Sequence, residues 1–121
     1  MSRQEVRDAF AAAIRSTLPG IDVYTTRMTD ARLPSRFFCV YMGGGEIRLT
    51  LGGAAREERP DVFVMYAQLA ATDEELDAVM EQAHAAIMAS TTMGRPLLTR
   101  FDYDEQGESH LALVYQYSTI I

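Results

Sequence analysis

Apolar residues recur along the chain at two spacings, one typical of helices and the other of strands. The first stripe, with intervals of three and four residues, predicts an amphipathic helix near the start of the chain. Its members are Val6, Phe10, Ala13, Ile14 and Leu18. Ser2 with Glu5 gives the capping-box pattern before this stripe, and Pro19 followed by Gly20 predicts its end.

A second stripe of the same kind predicts another helix in the second half of the chain. Its members are Leu76, Val79, Met80, Ala83, Ile87 and Met88. Thr72 and Glu75 repeat the capping-box pattern, and the acidic first turn suits the helix dipole. We expect this helix to end near Ser90.

Strands are predicted where short runs are rich in β-branched and aromatic residues or alternate in polarity. The predicted strands are residues 21–26, 36–42, 61–69, 97–103 and 109–121. Residues 27–35 and 104–108 are predicted to be a loop and a hairpin turn. Gly43, Gly44 and Gly45 break the second strand, which residues 46–51 could resume as a hairpin arm.

The centre of the chain changes character. Residues 52–60, with the sequence GGAAREERP, are rich in glycine and then in charge. Such segments are usually exposed turns, so we expect a mobile loop over about residues 43–60 in an isolated subunit.

These elements predict an α+β domain with the order α-β-β-(β)-β-α-β-β and a mixed or antiparallel sheet. Two helices cannot cover both faces of so large a sheet, so we expect both on one face. The last strand is apolar on both faces, which indicates either a central position or cover by a partner. Self-association is the simplest way to cover the remaining apolar face.

Composition narrows the class of protein. The 121 residues make one domain, 1–121, and the net charge of -6 disfavours nucleic-acid binding. No apolar run approaches the roughly 20 residues that cross a bilayer, so no membrane partner is expected. Cys39 is the only cysteine, which excludes an internal disulfide, and its place in an apolar strand indicates a buried thiol.

Candidate chemistry is weak throughout. Asp102, Asp104 and Gly107 imitate part of a calcium loop, but the position of its essential glutamate is Leu113, so a hairpin turn is favoured. The glycine clusters lack the ending of a phosphate loop, and His84 and His110 have no catalytic partner pattern. The sequence therefore predicts a protein that is not an enzyme.

Several passages resemble the minor tail protein U family of lambda-like bacteriophages, the tail terminators. The resemblance runs nearly end to end and is carried by ordered motifs rather than by a catalytic signature. These are PSRFFCVYMG at residues 34–43, which resembles the family form P-x-x-x-x-V-Y-x-x-G with one extra residue between Pro34 and Val40; DEELDAVM at residues 73–80; Phe101-Asp102-Tyr103 before an acidic turn; and the alternating Tyr115 and Tyr117.

The resemblance implies a structural subunit that forms a hexameric ring on the finished tail tube. Such a ring stops polymerisation of the tube and presents the surface for head joining. Its partners would be sister subunits, the tail tube protein and a head–tail connector protein, in a virion tail assembled in the bacterial cytoplasm. It implies no cofactor beyond a divalent cation such as magnesium during assembly.

Two surfaces are candidate subunit contacts in such a ring. They are the charged end of the central loop and the first turn of the second helix, represented by Arg56, Glu57, Glu58, Arg59, Asp73 and Glu74. The acids of the second helix are typical of a solvated face, and the alternative is a weak ion-binding or arginine-docking patch between subunits. The alternative function is a small oligomeric ligand-binding or enzymatic α+β domain of bacterial metabolism.

Overall fold

The computed structural model describes residues 2–26, 33–49, 56–90, 96–106 and 109–120. Over these ranges the chain forms two helices and five strands, and the α+β prediction is confirmed. The elements are α1 (Arg3–Thr17), β1 (Asp22–Tyr24), β2 (Arg36–Leu49), β3 (Arg56–Leu69), α2 (Asp73–Ala89), β4 (Leu97–Gln106) and β5 (His110–Ser118).

The strands form one mixed sheet with the order β1-β2-β3-β5-β4. β1 runs parallel to β2 and pairs with it only at residues 37–39, whereas all the other neighbours are antiparallel. The apolar strand β5 lies between β3 and β4, so the central position expected from its two apolar faces is confirmed. β4 continues to Gln106, so residues 104–106 of the predicted turn at 104–108 belong to the strand, and residues 107–108 lie outside the described ranges.

Both helices begin where the capping patterns predict. Ser2 Oγ accepts from the Glu5 amide at 3.1 Å, and Glu5 Oε1 accepts from the Ser2 amide at the same distance. At α2, Thr72 Oγ1 accepts from the Glu75 amide at 3.3 Å. The Glu75 carboxylate accepts from the Thr72 hydroxyl and from the side-chain amide of Gln68, which joins the start of α2 to β3.

One face of the sheet, called the helix face below, packs against α1 and α2. Its core is aliphatic and aromatic, and its fully buried members include Phe10, Ile14, Phe38, Val40, Val64, Tyr66, Leu76, Met80, Ile87 and Tyr117. The Phe10 and Tyr117 rings meet edge to face with 5.5 Å between centroids, which ties α1 to β5. Both helices therefore cover the same face, as predicted.

The opposite face, called the outer face below, carries a second and smaller cluster. It consists of Phe37, Cys39, Met65, Ala67 and Ala112, with Tyr24, Leu33, Tyr41 and Val114 at its margin. Residues of the connection between β1 and β2 contact this face: Thr26 O accepts from Cys39 Sγ at 3.4 Å, and Pro34 O lies 2.8 Å from His110 Nε2. Part of the outer face is thus covered by the chain itself, and the buried thiol predicted for Cys39 is confirmed.

The predicted mobile loop at about residues 43–60 is corrected by the structure. Residues 43–49 continue β2 and residues 56–60 begin β3, so both flanks of the segment are paired strands. Residues 50–55 lie outside the described ranges. The sequence pattern failed here because charged residues on an exposed hairpin satisfy the backbone by pairing, and charge alone does not identify a loop.

Glycines allow β2 to continue past the point where the prediction ended it. The register shifts between Met42 and Gly44, which marks a bulge. Gly44 has φ +137°, a conformation that favours glycine. At Gly45 a Cβ would lie 2.4 Å from Arg59 O, so only glycine allows the two backbones to approach so closely.

Candidate interaction surfaces

Beyond the bulge, β2 and β3 extend as a two-stranded arm, here defined as residues 46–49 and 56–59. Its cross-strand pairs are Glu46 with Arg59, Ile47 with Glu58, Arg48 with Glu57, and Leu49 with Arg56. Alternation along each strand places successive residues on opposite faces. The arm therefore has one face of charged residues and one face that carries aliphatic residues.

The charged face of the arm continues the outer face of the sheet. Arg59 Nη2 lies 2.9 Å from Glu57 Oε1, and Arg48 Nη2 lies 3.4 Å from Glu46 Oε2. The two cross-strand pairs on this face, Glu46 with Arg59 and Arg48 with Glu57, each place an acid opposite a base. These exposed pairs contribute little to folding, but they leave the outer face of the arm close to electrically neutral.

The other face of the arm continues the helix face, and it is where the arm meets α1. Arg3, in the first turn of α1, donates through Nε to the Glu58 carboxylate. Beside this contact Ile47 is 55% exposed and Leu49 is 70% exposed. Two adjacent aliphatic side chains on a projecting hairpin form an apolar surface that neither helix covers.

The far edge of the sheet presents a second apolar surface. β4 pairs with β5 on one side, and no strand among the described residues pairs with its other side. Phe101 and Tyr103 lie on its helix face, opposite Tyr115 and Leu113. Phe101 is 62% exposed and Tyr103 is 42% exposed, so this edge carries aromatic surface that α2 covers only in part.

Three tyrosine hydroxyls attach α2 to these two strands. Tyr103 donates to Asp77 and Tyr115 donates to Glu81, each at 2.6 Å. Tyr117 Oη lies 2.6 Å from His84 Nδ1, and the two rings are stacked. The hydrogen bonds occur at successive turns of α2, which fixes its height over β4 and β5.

The phenols respond to this environment. The hydrogen bond to Asp77 raises the pKa of Tyr103 to about 12. Burial raises the pKa of Tyr115, with a further contribution from its hydrogen bond to Glu81. Burial also raises the pKa of Tyr117. All three shifts favour the neutral phenol, which is the form that donates a hydrogen bond.

The predicted contact residues fall into two groups that the structure keeps apart. Residues 56–59 begin β3, whereas Asp73 and Glu74 lie in the first turn of α2, which follows the other end of β3. A strand of 14 residues is about 45 Å long at roughly 3.3 Å per residue. Contact between the two groups would therefore require two molecules, since one molecule holds them at opposite ends.

Sequence reasoning missed the edge surface of β4. Phe101 entered the sequence interpretation only through a family motif, and Leu97, which is 65% exposed, was not singled out. Leu97 and Phe101 lie on opposite faces of β4, because a register shift between Leu98 and Arg100 places Leu97 opposite Ser118 and Phe101 opposite Tyr115. The pattern within the strand cannot show that the strand lies at the edge. The strand order supplies that information.

Metal-ligating side chains are scattered over the described part of the chain. Among its residues, no three His, Cys, Asp or Glu side chains gather where they could hold a metal ion. Asp102 and Asp104, which imitate a calcium loop in the sequence, belong to the extended strand β4. Neither helix in the described ranges combines the length and apolar character needed to span a membrane.

Comparisons with known proteins give one informative result. No protein-family model matches the chain, and no curated protein matches it. Among solved structures, it is similar to a chain of the virion of native gene transfer agent (GTA) particle, with a TM-score of 0.56 and 15% sequence identity. The match covers 99% of this chain and 96% of that chain, so the two share a fold over their whole length.

Proposed function

We propose that this protein is a structural subunit of a phage-like virion and, within that class, a tail terminator. The observation that carries the proposal is the full-length similarity to a chain of a gene transfer agent virion. The sequence motifs that resemble the tail terminators support it independently. The exposed apolar arm and β4 edge support assembly, because such surfaces on one subunit are typical of contact sites.

In this role the protein forms a closed ring, of six copies by the family resemblance, at the end of a tail tube. Head-to-tail contacts that use two different surfaces of each subunit close into a ring when the rotation between neighbours permits. The arm and the β4 edge are two such surfaces, and they lie at opposite sides of the sheet. The remaining partners are the tail tube protein and a head–tail connector protein.

The proposed activity is binding and assembly, without catalysis and without a resident cofactor. A divalent cation such as magnesium is the one addition that the family resemblance suggests. The protein would be made in the bacterial cytoplasm and retained in the virion tail.

Deletion of the gene in a producing strain tests the terminator role. We expect tail tubes of uncontrolled length and heads without tails in negative-stain images, and normal particles after complementation. Tubes of normal length attached to heads in the deletion strain would contradict the proposal.

Assembly of the purified protein provides a second test. We expect rings of uniform diameter in images, either alone or after addition of tail tubes, with magnesium and chelator compared at each step. Charge reversal in the arm, as in Arg59→Glu, should weaken ring formation and leave the melting temperature of the subunit nearly unchanged. A large loss of subunit stability would instead make Arg59 a folding residue.

A further inference from the structure

We infer that the subunits join by edge-to-edge strand pairing, in which β4 of one copy adds to the arm of the next. The pairing rests on the proposed ring, because a ring requires two different surfaces of each copy to meet. It specifies more than a ring does: the two strands, their direction and their register.

The two edges are both available for pairing. β1 covers β2 only at residues 37–39, and in the arm β2 has β3 on one side and no described strand on the other. β4 likewise has β5 on one side and, among the described residues, no strand on the other. An edge strand presents unpaired N–H and C=O groups, which pair readily with another strand unless charge or a covering segment blocks them.

Symmetry fixes the direction of the pairing. From β2 through β3 and β5 to β4 each neighbour is antiparallel, so β4 runs opposite to β2. In a ring, neighbouring copies are related by rotation. If their sheets join into one sheet, the helix faces lie on the same side and the strands follow in the same order, so the strand directions are also the same. β4 must then run antiparallel to the arm of the next copy.

Side-chain chemistry selects the register. With helix face joined to helix face, Phe101 lies opposite Leu49 and Tyr103 lies opposite Ile47 of the next copy. On the outer face Asp102 then lies opposite Arg48. The four apolar side chains are the exposed ones described above, and burying them against each other removes apolar surface from water.

Neighbouring registers are less favourable. A shift of one residue would place apolar side chains on opposite faces. A shift of two residues in one direction would place Arg100 opposite Arg48 and Asp102 opposite Glu46, two like-charge pairs. The shift in the other direction would place Ile47 opposite Glu105. The chosen register has one like-charge pair, Asp104 with Glu46, and Arg48 and Arg59 flank that site.

Engineered disulfides test the register. Residues directly opposite in an antiparallel pair have Cβ atoms about 4.5–5.5 Å apart, close to the spacing that a disulfide needs. The double variant Leu49→Cys/Phe101→Cys should form covalent ladders between copies under mild oxidation. Both positions are exposed, so the subunit should fold normally, and a mixture of the two single variants should give only a covalent dimer.

The matched control moves one thiol to the opposite face. Arg48→Cys/Phe101→Cys places the two sulfurs on different faces of the proposed sheet, and we expect loss of the ladder. The unaltered protein, with buried Cys39 alone, should remain unlinked.

The outcomes separate the pairing from the ring. Closed rings without the Leu49–Phe101 link, or with the control pair linked as well, would overturn the pairing and leave the ring standing. Linked open chains would support the pairing and contradict the closed ring. Monomers at every concentration, with neither links nor rings, would overturn both.

Discussion

The two halves of β2 share one strand but have opposite surroundings. In the first half Phe38 and Val40 are fully buried beneath the helices. In the second half Ile47 and Leu49 continue the same face, yet they are 55% and 70% exposed. The bulge between Met42 and Gly44 marks the change.

The comparison shows that a strand face can be apolar for two different reasons. The first half uses its apolar residues for the subunit's own core, which stabilises the fold. The second half meets only the first turn of α1, through Glu58 opposite Ile47, and its exposed apolar residues add little to the stability of one subunit. Substitutions should therefore separate the two halves, since one set alters folding and the other alters assembly.

The largest effect is expected from Phe10→Ala. Phe10 belongs to the same core that buries the first half of β2. Phe10 is fully buried and packs edge to face on Tyr117. Its truncation should lower the free energy of unfolding by about 3–5 kcal/mol, a large part of the stability of a small domain. Urea denaturation checks this, with Phe101→Ala as the exposed control, which should stay within about 0.5 kcal/mol. Equal losses of unfolding free energy for Phe10→Ala and Phe101→Ala would contradict the division between residues that stabilise the fold and residues that serve assembly.

A smaller effect is expected from Gly45→Ala, at the base of the arm. The new Cβ would lie 2.4 Å from Arg59 O and 2.6 Å from Pro60 Cα, so the two backbones must move apart. Overpacking of this kind costs about 1–3 kcal/mol. Hydrogen exchange should show loss of protection at residues 46–49 and 56–59, with the core strands protected as before.

Gly20→Ala is the matched control, since a Cβ there meets nothing within 4 Å. It should leave the exchange of the arm unchanged. If Gly45→Ala also left the protection of the arm unchanged, the close backbone approach would not hold the arm together.

The first half of β2 and both helices could be predicted from the sequence because their patterns depend on local rules. Capping residues satisfy the free amides of a helix end, and helical spacing of apolar residues follows from burial of one face. The Ser2 capping box, the α2 stripe and the central place of β5 are examples. The capping box and the stripe depend on residues a few positions apart in the sequence. The central place of β5 follows from the apolar residues on both of its faces.

The sequence allowed residues 46–51 to resume as a hairpin arm, and residues 46–49 do so. The partner strand of the arm and the β4 edge could not be predicted, because they depend on strand order and on glycine geometry. The triple glycine was interpreted as a break, and in the structure it forms a bulge that lets β2 continue. The charged residues 56–59 were interpreted as a loop, and they pair with residues 46–49. Cross-strand charge pairing between distant segments leaves no periodic signal in a single strand.

The tyrosine contacts on α2 should make stability fall at alkaline pH. The pKa of Tyr103 is raised from 10.0 to about 12 in the folded protein, so the unfolded chain loses this proton first. Its contribution is complete below pH 10 and is lost as the pH rises from 10 to about 12. Tyr103→Phe should flatten this pH dependence in urea denaturation series.

Tyr24→Phe serves as the control, since Tyr24 lies on the opposite edge strand beside the outer-face cluster. It should retain the alkaline loss of the unaltered protein. Part of the loss should remain in Tyr103→Phe, because the pKa values of Tyr115 and Tyr117 are also raised. If the loss in Tyr103→Phe equalled that of the unaltered protein, the hydrogen bond to Asp77 would not contribute to it.

The smallest effect on the subunit is expected from reversing charge at Arg48 or Asp102. Both residues are exposed, so Arg48→Asp and Asp102→Arg should each change the free energy of unfolding by no more than about 0.5 kcal/mol. Each single change should weaken assembly, because it places like charges opposite each other, where a favourable cross-strand pair contributes about 0.2–1 kcal/mol. Light scattering over a concentration series measures the shift. The double variant Arg48→Asp/Asp102→Arg restores opposite charges and should recover assembly. The two single changes move the net charge of -6 in opposite directions, so a general charge effect would not weaken assembly in both of them. Failure of the double variant to recover would show that the two positions do not meet, and the arm would then need a different partner surface.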